Sequence, residues 1–204
     1  YMQQIDRCKD SMDGIFITQS ELSYETINSH KCFQIYFSED CSDCVNVWFS
    51  KNLIGCSDCF GCINLRNKKY HFFNTSLSKE EYEKKIKGLN INSFKELTNI
   101  KSEILKFWTA YPRKFIHGIR NDNISGDYIN NSKNIFNSYG VKDSENGKYL
   151  QFITMKPVKD SYDYTEWGNN AQNIYECITV GQNVNNIKFS CACWSNNINI
   201  EYSM

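Results

Sequence analysis

The chain has 204 residues with 23 Lys plus Arg against 23 Asp plus Glu, so no global field draws it to nucleic acid or an anionic membrane. Aromatic residues reach 15% while Pro and Gly number 2 and 10, a composition that favours pleated, half-buried surfaces. No apolar run approaches the roughly 18 residues of a membrane span, and the start YMQQIDRCKD lacks a signal-peptide core, so no membrane attachment is expected.

Residues 1–77 are expected to form a Cys-rich solenoid block. Seven of the ten cysteines lie between Cys8 and Cys62. A four-residue word, [Cys or Val]-[Lys or Ser]-Asp-[Ser or Cys], occurs at Cys8–Ser11, Cys41–Cys44 and Cys56–Cys59, and again at Val141–Ser144 and Val158–Ser161. Successive copies are separated by steps of 33, 15, 85 and 17 along the chain, and 33 and 85 are close to multiples of 16 or 17. That spacing predicts stacked coils, with the five Asp residues at equivalent corners. CFQIYFS (Cys32–Ser38) and CVNVWFS (Cys44–Ser50) form a comparable pair and read as strands whose side chains alternate between core and solvent.

The period then changes. Ser78-Lys-Glu-Glu81 and Ser93-Phe-Lys-Glu96 both match a capping box, which predicts helices over about 79–88 and 94–110. Tyr82, Ile86 and Leu89 give the first an apolar stripe; Phe94, Leu97, Ile100, Ile104, Leu105 and Trp108 give the second a longer one, stopped by Pro112. This helical hairpin, 78–111, is expected to lie against the flank or end of the solenoid, since alone it would leave its stripe wet.

Residues 112–133 are turn-rich and read as a connector. Residues 134–204 read as a second solenoid block, marked by an Asn-Ile word at Asn134, Asn173, Asn186 and Asn197, each followed by a short strand-like segment. The fold class expected is therefore mainly β: a parallel β-solenoid (β-helix) of short coils with an α-helical hairpin insertion.

Two CxxC knuckles, Cys41/Cys44 and Cys56/Cys59, have the spacing of a zinc ribbon, in which each knuckle turns two thiolates toward one tetrahedral ion. The same word also appears with Val and Ser in place of Cys, where it cannot ligate through two sulfurs. The preferred reading is thus a ladder of reduced, unligated cysteines in a reducing compartment, with no cofactor and with zinc as the alternative. Arg66, Lys68, Lys69 and Tyr70 interleave basic and aromatic side chains and form a candidate nucleic-acid patch, to be weighed against a strand with a solvated basic face. His30, His71 and His117 fall in no metal or acid–base spacing, and Asp160, Asp163 and Glu166 beside aromatics suggest glycosidase chemistry only by fold analogy. No convergent acid, base and nucleophile is apparent, so no catalytic residue is assigned. The sequons at Asn74, Asn123 and Asn130 read as chance in a chain this rich in Asn and Ser.

The stretch Cys59-Phe-Gly-Cys62-Ile-Asn-Leu-Arg66-Asn-Lys68-Lys-Tyr70-His-Phe-Phe-Asn74, followed by Ser78-Lys-Glu-Glu-Tyr82, resembles a group of uncharacterised cysteine-rich repeat proteins of metagenomic reduced-genome bacteria and their viruses. Val158–Tyr202 resembles the same group more weakly, so the likeness covers about half the chain. The resemblance implies stacked coils closed by a CFGC segment and a KEEY helix, an intracellular or virus-associated setting, and a C-terminal block that continues beyond Met204. It implies no activity. The function expected from these features is a non-enzymatic scaffold or protein-binding repeat module, acting on another protein or by self-assembly. The alternatives are a zinc-dependent nucleic-acid-binding module and a carbohydrate-active β-helix enzyme.

Overall fold

The computed structural model describes residues 2–204 and divides the chain into two compact units, the first running to Pro112 and the second spanning Arg113–Met204. Both are built mainly from parallel strands. Among the described residues the first unit holds β1 (Met2–Asp6), β2 (Met12–Thr18), β3 (Glu21–His30), β4 (Phe33–Tyr36), β5 (Glu39–Ser42), β6 (Val45–Trp48), β7 (Ser57–Phe60), β8 (Lys69–Phe72) and β9 (Thr75–Ser76). Helices α1 (Lys79–Lys87) and α2 (Phe94–Thr109) follow. The second unit holds β10 (Gly118–Ile119), β11 (Asp122–Asn130), β12 (Lys133–Lys142), β13 (Ser144–Met155), β14 (Val158–Gly168), β15 (Ala171–Gly181), β16 (Val184–Cys191) and β17 (Ile198–Glu201). The expected connector 112–133 therefore contains strand: β11 pairs with β12 and belongs to the second unit, and the division between units falls before it. Neither helix is long and apolar enough to cross a membrane.

The elementary step of the chain is three residues. In β2 to β4 the buried side chains are Ile17, Ser20, Ser23, Thr26, Ser29, Cys32 and Ile35. Each is preceded by a residue at positive φ: Phe16, Gln19, Leu22, Glu25, Asn28, Lys31 and Gln34, all between 48° and 55°. An ordinary strand alternates its side chains with period two; a left-handed residue inserted at every third position resets that alternation and turns the chain. A left-handed conformation costs an L-residue about 1–2 kcal/mol, least for Gly, Asn and Asp. Accordingly about half of the non-Gly residues at positive φ are Asn or Asp, none is Val or Ile, and Thr179 is the sole β-branched one among the described residues.

Four such steps make the pairing offset of the first unit, where Ile5 pairs with Ile17, Ile35 with Val47 and Val47 with Cys59. The second unit begins near the same offset and lengthens by one or two positions, as in Ile135 with Gly147, Gly147 with Ser161 and Ile174 with Ile187. The period of 16 or 17 expected from the word spacings is thus too long. Those spacings reflect the three-residue step instead: 33 is 11 × 3 and 15 is 5 × 3 between the copies at Cys8, Cys41 and Cys56. All five Asp residues of the word share one conformation, with φ of 48°, 54°, 50°, 50° and 49° at Asp10, Asp43, Asp58, Asp143 and Asp160. They do not stand at equivalent corners as expected: Asp58 falls beside Asn46 and Asp43 beside Gly55, and Asp160 falls beside Asn146 and Asp143 beside Asn131.

The interior explains why Cys and Ser exchange in the word. The carbonyl just before the left-handed residue accepts a backbone N–H one pairing offset later, as Ser42 does from Gly55 at 2.9 Å, and the next inward side chain reaches back to the same carbonyl. Cys44 Sγ donates to the Ser42 carbonyl at 3.2 Å, Cys56 to Ile54 at 3.4 Å, and Ser50 Oγ to Trp48 at 2.9 Å. Ser hydroxyls also accept from the backbone one pairing offset later, as when Cys32 N–H donates to Ser20 Oγ at 3.1 Å. Most small side chains with one polar hydrogen therefore place it on a backbone carbonyl without needing a partner side chain, Ser23, Thr26 and Ser29 excepted. Apolar positions fill the remainder: Ile35, Val47 and Leu53 among the thiols of the first unit, and Ile135, Leu150, Ile153, Tyr164, Ile174 and Ile187 in the second. Tyr164 is buried with its hydroxyl donated to the Val180 carbonyl, and burial raises its pKa. Where successive backbones approach most closely the side chain vanishes: Gly181 pairs with Gly168, whose carbonyl oxygen occupies the space that a Cβ at 181 would need.

Candidate interaction surface

Outward residues stack in columns because each pairing offset places like positions beside one another. In the first unit Tyr24, Tyr36, Trp48, Phe60 and Phe72 are successive register partners. Tyr36 and Trp48 have ring centroids 4.2 Å apart, and Phe60 lies flat on Phe72 at 5.3 Å. The left-handed residues Phe37 and Phe49 stack beside them at 4.6 Å. The helices cover this face from Trp48 onward, and Tyr24 and Tyr36 are half-buried outside their cluster. Tyr82 of α1 and Ile104 and Trp108 of α2 form one buried cluster with Phe49, Phe60 and Ile63, flanked by Leu97, Ile100 and Phe107. Lys101 of α2 bonds Glu25 at 2.6 Å and sits 4.4 Å above the Phe37 ring. The expected apolar stripes thus pack as read except at Phe94 and Leu105, which face outward, while Phe107, outside the expected stripe, packs inward against Phe73. A 16-residue α-helix cannot turn its whole apolar content to one plane, and these two lie off the stripe centred on Ile100, Ile104 and Trp108.

The second unit has a column of the same construction and no helix among its described residues. Phe136, Lys148, Tyr162, Tyr175, Lys188 and Glu201 are successive register partners. The residues that follow them, Asn137, Tyr149, Asp163, Glu176, Phe189 and Tyr202, all hold positive φ. Each step therefore presents one aromatic ring: Phe136, Tyr149, Tyr162, Tyr175, Phe189 and Tyr202. All are exposed, with Tyr162 at 46%, Tyr175 at 40% and Tyr202 at 78%. Charges of both signs are interspersed. Lys188 bonds Glu201 at 3.0 Å, Lys148 lies 4.7 Å above the Tyr149 ring, and the Glu176 carboxylate beside Tyr175 raises its phenol pKa. Phe189 meets Tyr175 edge-on at 5.5 Å and stacks on Tyr202 at 5.0 Å.

The residues singled out from sequence distribute differently. Cys41, Cys44, Cys56 and Cys59 are all free and buried, and each donates its thiol to the backbone carbonyl two positions back. Cys44 and Cys56 share the column of Cys32, whereas Cys41 stands in register with Ser29, and Cys59 with Val47 and His71. Among the described residues no group of three or more His, Cys, Asp or Glu is placed to hold a metal ion. The neighbouring Cys44 thiol and burial both raise the pKa of Cys32 and Cys41, and burial raises that of Cys177.

Arg66 bonds the Asn52 carbonyl at 2.6 Å and the Asn52 side chain at 2.9 Å, Lys69 lies 3.9 Å from Asp58, and Tyr70 packs against Tyr82. Lys68 is exposed. Most of the basic patch is therefore engaged with its own unit. Asp160 accepts from Asn146 at 2.9 Å and Gln172 at 3.3 Å, and Glu166 accepts from Thr179 at 3.2 Å; with Asp163 they occupy left-handed corners. His71 is buried at an inward position with Nδ1 2.8 Å from the Lys69 carbonyl, the role Cys and Ser take elsewhere. His30 meets Thr18 at 2.7 Å, and His117 pairs with Asp127. Sequence reasoning missed the exposed aromatic column although its six rings recur every 13 or 14 residues, because the Asp and Asn words that mark the repeats do not include them; only the register shows that they stand side by side.

No protein-family model matches the chain, and no curated protein matches it. Among solved structures, a chain described as an acetyltransferase from Desulfovibrio desulfuricans G20 aligns at 10% identity over 84% of this chain and 54% of that one, with a TM-score of 0.15. This chain thus spans about half the length of that protein, and a likeness of this strength carries no argument about fold or activity.

Proposed function

We propose that the chain is a non-enzymatic β-solenoid scaffold that binds another protein through the uncovered aromatic column of its second unit. In this reading every pairing offset is one coil, and stacking the coils converts a short sequence into a long, rigid surface. The observation that carries the reading is the contrast between the two columns: Trp48, Phe60 and Phe72 of the first unit are packed into one cluster with α1 and α2 and none of its column rings is exposed, whereas the second unit exposes six rings over six successive steps. A contiguous exposed aromatic surface rimmed by charges marks interaction sites on proteins. The ten free thiols fit a reducing, intracellular setting.

The test is photo-crosslinking in producing cells with p-benzoylphenylalanine at Tyr162, compared with the same residue at Lys159, whose column runs through Glu145 and Gln172 instead. A discrete protein adduct from position 162 and none from 159 is expected. Equal or absent adducts at the two positions would remove the surface from consideration.

A further inference from the structure

We infer that the aromatic column of the second unit receives a single amphipathic α-helix of a partner protein, four to five turns long and laid along the column. The inference rests on the protein-binding reading above and narrows it to one class of partner.

The first unit shows what covers such a face. Its own column of Tyr24, Tyr36, Trp48, Phe60 and Phe72 is built from the same outward positions, each followed by a left-handed residue such as Phe37 or Phe49, and an amphipathic helix pair packs over Trp48, Phe60 and Phe72 and over the corner rings Phe37 and Phe49. The longer member, α2, has 16 residues and meets the face through Ile104, Trp108 and Lys101.

The dimensions agree. Six steps of the second column are separated by five strand spacings of about 4.8 Å, roughly 24 Å in all; a helix as long as α2, at about 1.5 Å per residue, is also roughly 24 Å long. One helical turn of about 5.4 Å nearly matches one strand spacing, so a stripe at i, i+4, i+8 and i+11 meets successive rings. Charge narrows the partner further. Along the column the charges run Lys148, Asp163, Glu176, Lys188 and Glu201, which suits a helix carrying both signs beside its apolar stripe, as α2 does where Lys101 bonds Glu25.

The probe is a hydrocarbon-stapled, fluorescein-labelled peptide of residues 93–111 of this chain, titrated with the full chain by fluorescence anisotropy. Saturable binding is expected, weakened about tenfold or more by Y162S/Y175S in the chain, and abolished by Ile104→Lys in the peptide. Tyr202→Ser, at a site too exposed to disturb the interior, should weaken binding by a smaller factor and stands in if the double variant does not fold. Lack of saturation overturns the inference. So does binding indifferent to Y162S/Y175S, because a peptide that displaces α2 from the first unit would behave that way. Saturable cellohexaose binding, lost in the same variants and without peptide binding, would assign the column to polysaccharide and also overturn it. Crosslinks from position 162 that persist when the peptide fails would leave the protein-binding reading standing and remove only the helix.

Discussion

Asn134 donates its side-chain amide to Asn146 at 3.0 Å, and Asn146 donates in turn to Asp160 at 2.9 Å, while all three hold φ between 49° and 55°. One residue type thus serves two needs at once: it tolerates the left-handed corner, and it bonds its neighbour along the column. Asn146→Gly keeps the first and loses the second, and should cost about 1 kcal/mol. Asn146→Ala loses both and should cost about 2 kcal/mol, with Asn146→Val worse because a branched Cβ crowds this region. Urea midpoints measure the series. Equal losses for Gly and Val would show that the corner conformation is not held in solution.

Thr26 is fully buried with its hydroxyl unpartnered, as are those of Ser23 and Ser29. A buried hydroxyl without a bond is worse than the isosteric methyl. Thr26→Val should therefore raise stability by about 1 kcal/mol. A loss of that size, seen by the same denaturation, would mean that the hydroxyl has a partner in solution.

Among the cysteines, Cys8 and Cys191 are partly exposed and the other eight are buried. Iodoacetamide should modify those two first, leaving the rest protected until global unfolding, because burial shields their sulfurs from the reagent and, at Cys32 and Cys41, the pKa raised by the neighbouring Cys44 thiol and by burial also removes the reactive thiolate. Cys44→Ser should cost under about 1 kcal/mol, since Ser50 already makes the equivalent bond to the carbonyl two positions back. Stoichiometric zinc in protein purified without added metal, released by that one substitution, would overturn the expectation and favour a metal-holding role for Cys41, Cys44, Cys56 and Cys59.

Asp127 supplies the acid-sensitive contact of the second unit. Burial alone would raise its pKa, but bonds from the His117 side chain and from the His117 and Tyr128 N–H groups outweigh burial and lower it. A carboxyl whose folded pKa lies below its unfolded value stabilises the fold above the unfolded pKa and loses that contribution as pH falls through the folded one. Stability should thus decline on acidification below the ordinary Asp range, and Asp127→Asn should flatten part of that decline. Parallel pH profiles for the two proteins would sink the assignment.

How much of this was legible in the sequence depends on the range of the interaction concerned. The helices were, since capping and an apolar stripe act within a few residues: α1 and α2 start where Ser78 and Ser93 predict them. Ser78 makes both bonds of its capping box, at 2.9 and 3.2 Å, whereas Ser93, with the same pattern, makes no side-chain cap bond. The recurring Asp was legible too, as a conformational preference belonging to the residue itself, and all five copies adopt the same φ.

What the sequence by itself determined, then, is the local grammar: small or apolar inward residues, Asn and Asp at the corners, parallel strand rather than helix outside 79–109. The three-residue period stayed hidden because Phe16, Leu22, Glu25 and Lys31 also stand at corners, where no intrinsic preference puts them. Tertiary structure decided those positions. A corner disfavoured by its own residue is held by tertiary neighbours, as Phe37 is held by Phe49 one offset away and by Lys101 of α2, and such contacts exist only once the register is set and the helix packs. The same holds for the candidate surface. Tyr162 and Tyr175 are ordinary tyrosines, well separated along the chain, until parallel pairing places them side by side, and whether their column is covered or open depends on where the helices pack, not on any property of the tyrosines.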